Sequence, residues 1–187
     1  MSSVIWTILR WPPSSSAPTL ALALGEHIDD PRFATFYGLL VVESRITERL
    51  DAELQATAGL SLSRFELLVH LLLKDGRRRM SDLADALLLS RGGATRLVAR
   101  AEEDGLVRRE IPPDDRRATY AVLTEEGQAA AERGYPVYLE VVQRLFHDFV
   151  EDDEAEVLVR VWQRVLDGND LSCGPVTHAA EALEARK

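Results

Sequence analysis

Ser81-Asp82-Leu83-Ala84-Asp85-Ala86-Leu87-Leu88 and then, after Leu89, Ser90-Arg91-Gly92-Gly93-Ala94-Thr95-Arg96-Leu97-Val98-Ala99-Arg100-Ala101-Glu102-Glu103 form the stretch that decides the fold. Ser81 reads as an N-cap, and Leu83, Ala84, Leu87 and Leu88 share one helical face, so the first piece is a short, buried support helix. The second piece runs from Ser90 to about Glu103 and places Ala94, Leu97, Val98 and Ala101 at the spacing of an apolar stripe. Arg91, Gly92, Thr95, Arg96 and Arg100 fall outside that stripe. Guanidinium groups there can bond guanine edges bidentately or grip phosphates. Gly92 and Gly93 cost roughly 0.8–1 kcal/mol each in a helix relative to alanine. Either they let the backbone approach a groove wall or they loosen the helix start.

Working outward, Gly105 ends this helix as a C′ glycine, and Leu106-Val107-Arg108-Arg109-Glu110-Ile111 offers a short strand. Pro112-Pro113-Asp114-Asp115 must turn. Arg116-Arg117-Ala118-Thr119-Tyr120-Ala121-Val122-Leu123 returns as a second strand, since β-branched and aromatic residues suit a pleated surface. Two helices and a charged hairpin make a winged helix-turn-helix, which the spacing places over residues 62–123. The hairpin tip reads as a minor-groove probe or as a solvated charged turn.

Asp104-Gly105-Leu106-Val107-Arg108-Arg109, then Asp115-Arg116-Arg117, then Leu123-Thr124-Glu125-Glu126-Gly127 resemble the MarR (multiple antibiotic resistance regulator) family of transcription factors, and the likeness runs from about Phe33 to Leu166. The resemblance implies that Asp115 holds Arg117 at the wing tip for insertion into the minor groove, with Arg116 beside it. It implies a repressor that binds double-stranded DNA at a palindromic operator as a homodimer. It also implies a small aromatic or phenolic effector, for which Phe36, Tyr37, Phe65 and His70 are candidate pocket residues; plain core packing is the alternative for each. Peroxide-sensing relatives carry a cysteine near the start of the fold, and the single cysteine here, Cys173, stands near the end.

The flanks fit that frame. Asp30-Pro31 opens a helix with a cap and an N1 proline. Phe33, Phe36, Tyr37, Leu40, Val41, Thr47, Leu50 and Leu54 then trace one face of a helix about 28 residues long, roughly 40 Å at 1.5 Å per residue. Ser63-Arg64-Phe65-Glu66 matches a capping box before the apolar run to Leu73. Arg77, Arg78 and Arg79 link this helix to the opening motif, as phosphate contacts or as a solvated loop, and the resemblance implies a short strand near this link that joins the wing sheet. Thr124 caps a second long helix in which Pro136 removes a backbone donor and should kink the axis. A last helix starts at Asp152 or Asp153, with Val157, Leu158, Val161, Trp162 and Val165 at helical spacing, and Gly168 ends it. Residues 30–58 and 124–167 are therefore expected to form a helical dimerisation region, with 168–187 as a tail. The fold class is mainly α with a small β-hairpin wing.

Residues 1–29 read as a leader outside the core, or as a segment whose Trp6 and Trp11 fold back over a pocket. Their apolar run is too short to span a membrane and lacks the basic flank of a secretory signal, which predicts a cytoplasmic protein. The formal charge is −9, which at first argues against nucleic acid. Yet residues 74–120 carry eleven Lys and Arg against nine Asp and Glu, so the acidity lies elsewhere and the local field decides. No phosphate-binding glycine loop, nucleophile elbow or His-Glu-x-x-His pattern is present, so no enzyme, cofactor or metal is expected. His147, Asp148 and Glu151 share a helical face but read as a solvated one. A winged-helix module that binds protein instead of DNA is the competing reading, and Arg91, Arg96, Arg100 and Arg117 are what it does not need.

Overall fold

The computed structural model describes residues 30–113, 115, 118–171 and 174–185. Seven α-helices are described: α1 (Pro31–Ala58), α2 (Leu62–Leu72), α3 (Met80–Ala86), α4 (Arg91–Glu103), α5 (Glu125–Leu145), α6 (Asp152–Asp167) and α7 (Gly174–Glu184). Three strands, β1 (Arg77–Arg79), β2 (Val107–Glu110) and β3 (Tyr120–Leu123), form one antiparallel sheet in the order β1-β3-β2. The mainly helical winged architecture agrees with the sequence pattern. The leader with Trp6 and Trp11, and Cys173, lie outside the described residues.

The chain divides into two compact units, Met1–Arg45 and Ile46–Lys187. In the first, α1 starts as expected: the Asp30 carboxylate accepts from the Arg32 backbone N–H at 2.8 Å. Its apolar side chains stay on the surface, with Phe36, Leu40, Val41 and Val42 all exposed. Phe33 stacks on Tyr37 at 6.3 Å between ring centroids, and the Tyr37 hydroxyl is buried without a hydrogen bond among the described residues.

In the second unit one core joins the end of α1 to the winged module. Leu54, Leu67, Leu68, Leu71, Leu83 and Val98 are fully buried in it. Phe65 on α2 stacks against Tyr138 on α5 at 5.2 Å, and Gly134 makes room for the ring: a Cβ there would come within 2.9 Å of Phe65 Cδ2. Arg144 on α5 donates to Glu53 on α1 at 2.6 Å. α5 runs unbroken through Pro136.

Several boundaries differ from the sequence expectation, each for a physical reason. α2 begins at Leu62, not at a Ser63 capping box; Ser61 is the N-cap residue without a side-chain bond, and Asp51 Oδ1 accepts from Leu62 N at 2.8 Å. α3 begins at Met80 and is not capped by Ser81. Met80 N donates to Thr119 O at 2.9 Å, so a sheet partner satisfies the helix start, and the Ser81 hydroxyl turns to Asp82 Oδ1 at 2.9 Å. The returning strand starts at Tyr120 instead of Arg116, where pairing with both Arg79 and Glu110 begins. Leu88 is not on the buried stripe of α3: the helix ends at Ala86 and Leu88 is 90% exposed.

Candidate nucleic-acid interface

α4 owes its start to Ser90, whose hydroxyl accepts from Gly93 N at 3.1 Å. Its end is a Schellman turn: Leu106 N donates to Ala101 O at 2.9 Å and Gly105 N to Glu102 O at 3.0 Å, with Gly105 at φ +74°. Ala94, Leu97, Val98 and Ala101 are buried, which fixes the rotation of the helix and turns Arg91, Gly92, Thr95, Arg96 and Arg100 outward. Thr95 returns its hydroxyl to Arg91 O at 2.8 Å.

The two helix-start glycines are not equivalent. A Cβ on Gly93 would sit 3.3 Å from the Ser90 capping oxygen and 3.6 Å from Leu89 Cβ, so the cap itself restricts this site. At Gly92 the nearest atom is the movable end of Arg96, at 3.5 Å. The fold gives no steric reason for glycine at 92.

Charge pairing separates the arginines of the winged module into two sets. Arg64 faces Asp104 at 2.5 Å, Arg77 faces Glu110 at 3.6 Å, Arg79 faces Asp115 at 3.8 Å, Arg108 faces Glu110 at 3.2 Å and Arg109 faces Glu102 at 2.6 Å. Glu102 also accepts from Arg109 N at 2.9 Å, and these hydrogen bonds to Arg109 hold its carboxyl below the usual carboxylate range. Arg77 in addition lies 3.6 Å over the Tyr120 ring. Arg91, Arg96 and Arg100 have no carboxylate partner among the described residues, and neither has Arg78. Of the four described arginines of the module without a carboxylate partner, three thus lie on the exposed face of α4.

Of the wing-tip residues, Asp115 is described, and its Oδ2 approaches Arg79 from β1. Arg116 and Arg117 lie outside the described residues. The contact from Arg79 is one the sequence did not announce, because it depends on β1 pairing alongside β3.

The candidate effector residues fall into both units. Phe36 is exposed and Tyr37 half-buried on α1. Phe65 is a core residue, and its packing against Tyr138 and Gly134 accounts for it. His70 is half-buried, and burial together with the nearby Arg78 charge keeps its pKa below the ordinary histidine value. His147 sits 3.3 Å from Gln143 and Asp148 accepts from the same glutamine at 2.7 Å, so the two polar groups are engaged with it.

The MarR family model matches residues 58–118. The chain is 29% identical over 101 residues to the uncharacterized HTH-type transcriptional regulator YkoM of Bacillus subtilis, a match covering 54% of this chain and 65% of that one, just under two thirds. It is 31% identical over 116 residues to the HTH-type transcriptional repressor IacR of Pseudomonas putida, covering 62% of this chain and 68% of IacR. Among solved structures it resembles Sco3205, a MarR family transcriptional regulator from Streptomyces coelicolor solved in complex with DNA. The TM-score is 0.68 at 29% identity, over 72% of this chain and 85% of that one.

Proposed function

Because the chain belongs to the MarR family of DNA-binding transcriptional regulators, we propose that it is a repressor that binds a palindromic operator as a homodimer, with α4 in the major groove and the wing at the minor groove. The observation that carries the placement of α4 is its set of unneutralised arginines, Arg91, Arg96 and Arg100, beside five paired ones. A guanidinium already held by a carboxylate has less to gain from a phosphate or a guanine edge; a free one releases counterions when it binds. Gly92, faced only by the movable end of Arg96, lets the backbone come close to the groove. On this reading Thr95 and Gly93 sit at the same face, and Asp115, Arg116 and Arg117 form the minor-groove probe. The repressor role follows the relative IacR.

The homodimer is supported by apolar side chains that a single chain leaves in water: Phe36 and Val42 on α1, Val157 and Val165 on α6, and Phe149 between α5 and α6. Such exposed apolar groups on each unit support burial against a second copy. Residues 30–58 and 124–167 are the proposed dimerisation region. An effector of aromatic or phenolic character is the reading we attach to Tyr37, whose buried hydroxyl has no hydrogen-bond partner among the described residues and could meet a ligand's polar group. It would act by favouring a dimer geometry whose α4 helices no longer match the half-sites.

Selection of bound sequences from random duplex DNA at two salt concentrations tests the proposal. An inverted repeat with half-sites about one helical turn apart, roughly 34–36 Å, supports the dimeric reader. No enrichment from a folded, dimeric protein would sink it in favour of a protein-binding module. Titrating simple phenols into the operator complex tests the effector, and a Tyr37→Phe variant should respond less.

A further inference from the structure

We propose that Leu88 is a DNA contact that determines sequence preference, its isobutyl group meeting a thymine methyl at the edge of the major groove. The inference rests on the placement of α4 in that groove.

The observation is a leucine where the backbone asks for glycine. α3 ends in a Schellman turn: Leu89 N donates to Ala84 O at 2.9 Å and Leu88 N to Asp85 O at 3.2 Å, with Leu88 in the C′ position at φ +52°. Left-handed backbone crowds any Cβ, which is why this position favours glycine. The chain supplies its own comparison. The same turn ends α4 with Gly105 at φ +74°, and ends α6 with Asp170 at φ 54°, a residue type that tolerates this conformation. Leu88 is the one of the three with neither freedom nor local compensation.

Packing does not repay the strain either. Leu83 and Ala84 are in the core and Leu87 is packed against it, whereas Leu88 is 90% exposed. Leu89 turns toward the first turn of α4, with its Cβ 3.6 Å from where a Gly93 Cβ would lie. A side chain that costs conformational energy and gains no burial in the protein must gain it elsewhere.

Position and chemistry indicate where. Leu88 precedes the N-cap Ser90 by two residues, so its Cα lies within about 7 Å of that cap. A groove that receives Arg91 therefore has its edge within reach of Leu88. In the major groove the apolar feature of a base edge is the thymine methyl, which apolar side chains read by contact. Around it Asp85, Ser90 and Arg91 are exposed and polar, and Leu89 is the one other exposed apolar side chain of this turn. Two adjacent leucines amid polar groups suit a thymine methyl better than the broad contiguous apolar patch a protein partner would need.

The test measures affinity for a selected operator carrying deoxyuridine in place of thymine, one position at a time, for the wild type, Leu88→Gly and Leu88→Asn. Wild type should lose about four-fold at one thymine of each half-site, the effect of one buried methyl. Leu88→Gly should bind about ten-fold more weakly, be indifferent to that replacement, and melt no lower than wild type. Asparagine also accepts the backbone conformation and should repeat the result if the glycine variant folds poorly. Equal affinity and an unchanged deoxyuridine profile for both variants overturn the proposal. If Arg96→Ala weakens binding in the same assay, that failure concerns Leu88 alone; if Arg96→Ala is neutral too, the placement of α4 falls with it.

Discussion

Gly127 lies so close to the backbone carbonyl of Leu106 that a Cβ at 127 would overlap its oxygen. The same carbonyl accepts from Thr124 N at 3.2 Å and from the Thr124 hydroxyl at 2.9 Å, while that hydroxyl accepts from Gly127 N at 3.0 Å. The end of α4, the start of β2, the end of β3 and the start of α5 are thus fastened around one peptide group. Gly127→Ala should destabilise the protein by about 3 kcal/mol, since the clash is with backbone and cannot be relieved by a side-chain rotation. Urea unfolding checks this; a loss under 1 kcal/mol would mean the junction has slack.

The unpaired arginines of α4 should behave unlike the paired ones. Arg91→Ala, Arg96→Ala and Arg100→Ala remove no ion pair, so melting temperature should hold while operator affinity falls. Each one that meets a phosphate should reduce the slope of log affinity against log salt by about 1. Arg109→Ala, by contrast, breaks the bonds to Glu102 and should lower the melting temperature. Calorimetry and binding isotherms on the same four variants separate the two classes.

Glu102 makes the module acid-sensitive in a stated direction. Its hydrogen bonds to Arg109 lower its pKa in the folded state. A carboxyl depressed on folding contributes fully above its unfolded value and loses the contribution as pH falls through the folded one. Stability should therefore decline below the ordinary carboxylate range, and Glu102→Gln should flatten part of that decline. An unchanged acid limb in the glutamine variant would show that the pair contributes nothing.

Gly92→Ala should raise stability by up to about 1 kcal/mol, because alanine is the better helix former and meets only the end of Arg96. The same variant should weaken operator binding if the backbone approaches the groove there. Tighter or equal binding would return Gly92 to a helix-start residue without a role in recognition.

Sequence reading succeeded where one residue controls its own surroundings. Thr124 was legible as a cap because it bonds a backbone N–H three residues on. Pro31 and Gly105 declared their ends through backbone geometry alone. Ser63 and Ser81 misled because the donors in their regions are satisfied from afar, by Asp51 and by Thr119. Leu88 misled for a different reason: the 3.6-residue rhythm continues through it, although the chain has already left the helix at Ala86. The division of arginines into paired and unpaired sets was invisible, since Arg64–Asp104 and Arg79–Asp115 are made only when distant segments pack. The positions of Arg91, Arg96 and Arg100 on the outer face, however, followed from the apolar stripe beneath them.

The carboxylates that hold five arginines of the winged module have a consequence for how such a protein searches a chromosome. A net charge of −9 repels DNA at long range, and the neutralised arginines add little attraction on a chance encounter. On the proposed placement, attraction acts chiefly when the unpaired arginines of α4 and the wing tip face the duplex, so residence on unrelated sequence should be brief. Occupancy is then governed by the ratio of operator to bulk affinity, the quantity that matters when competing sites number in the millions. Charge placement here limits wasted binding instead of maximising grip.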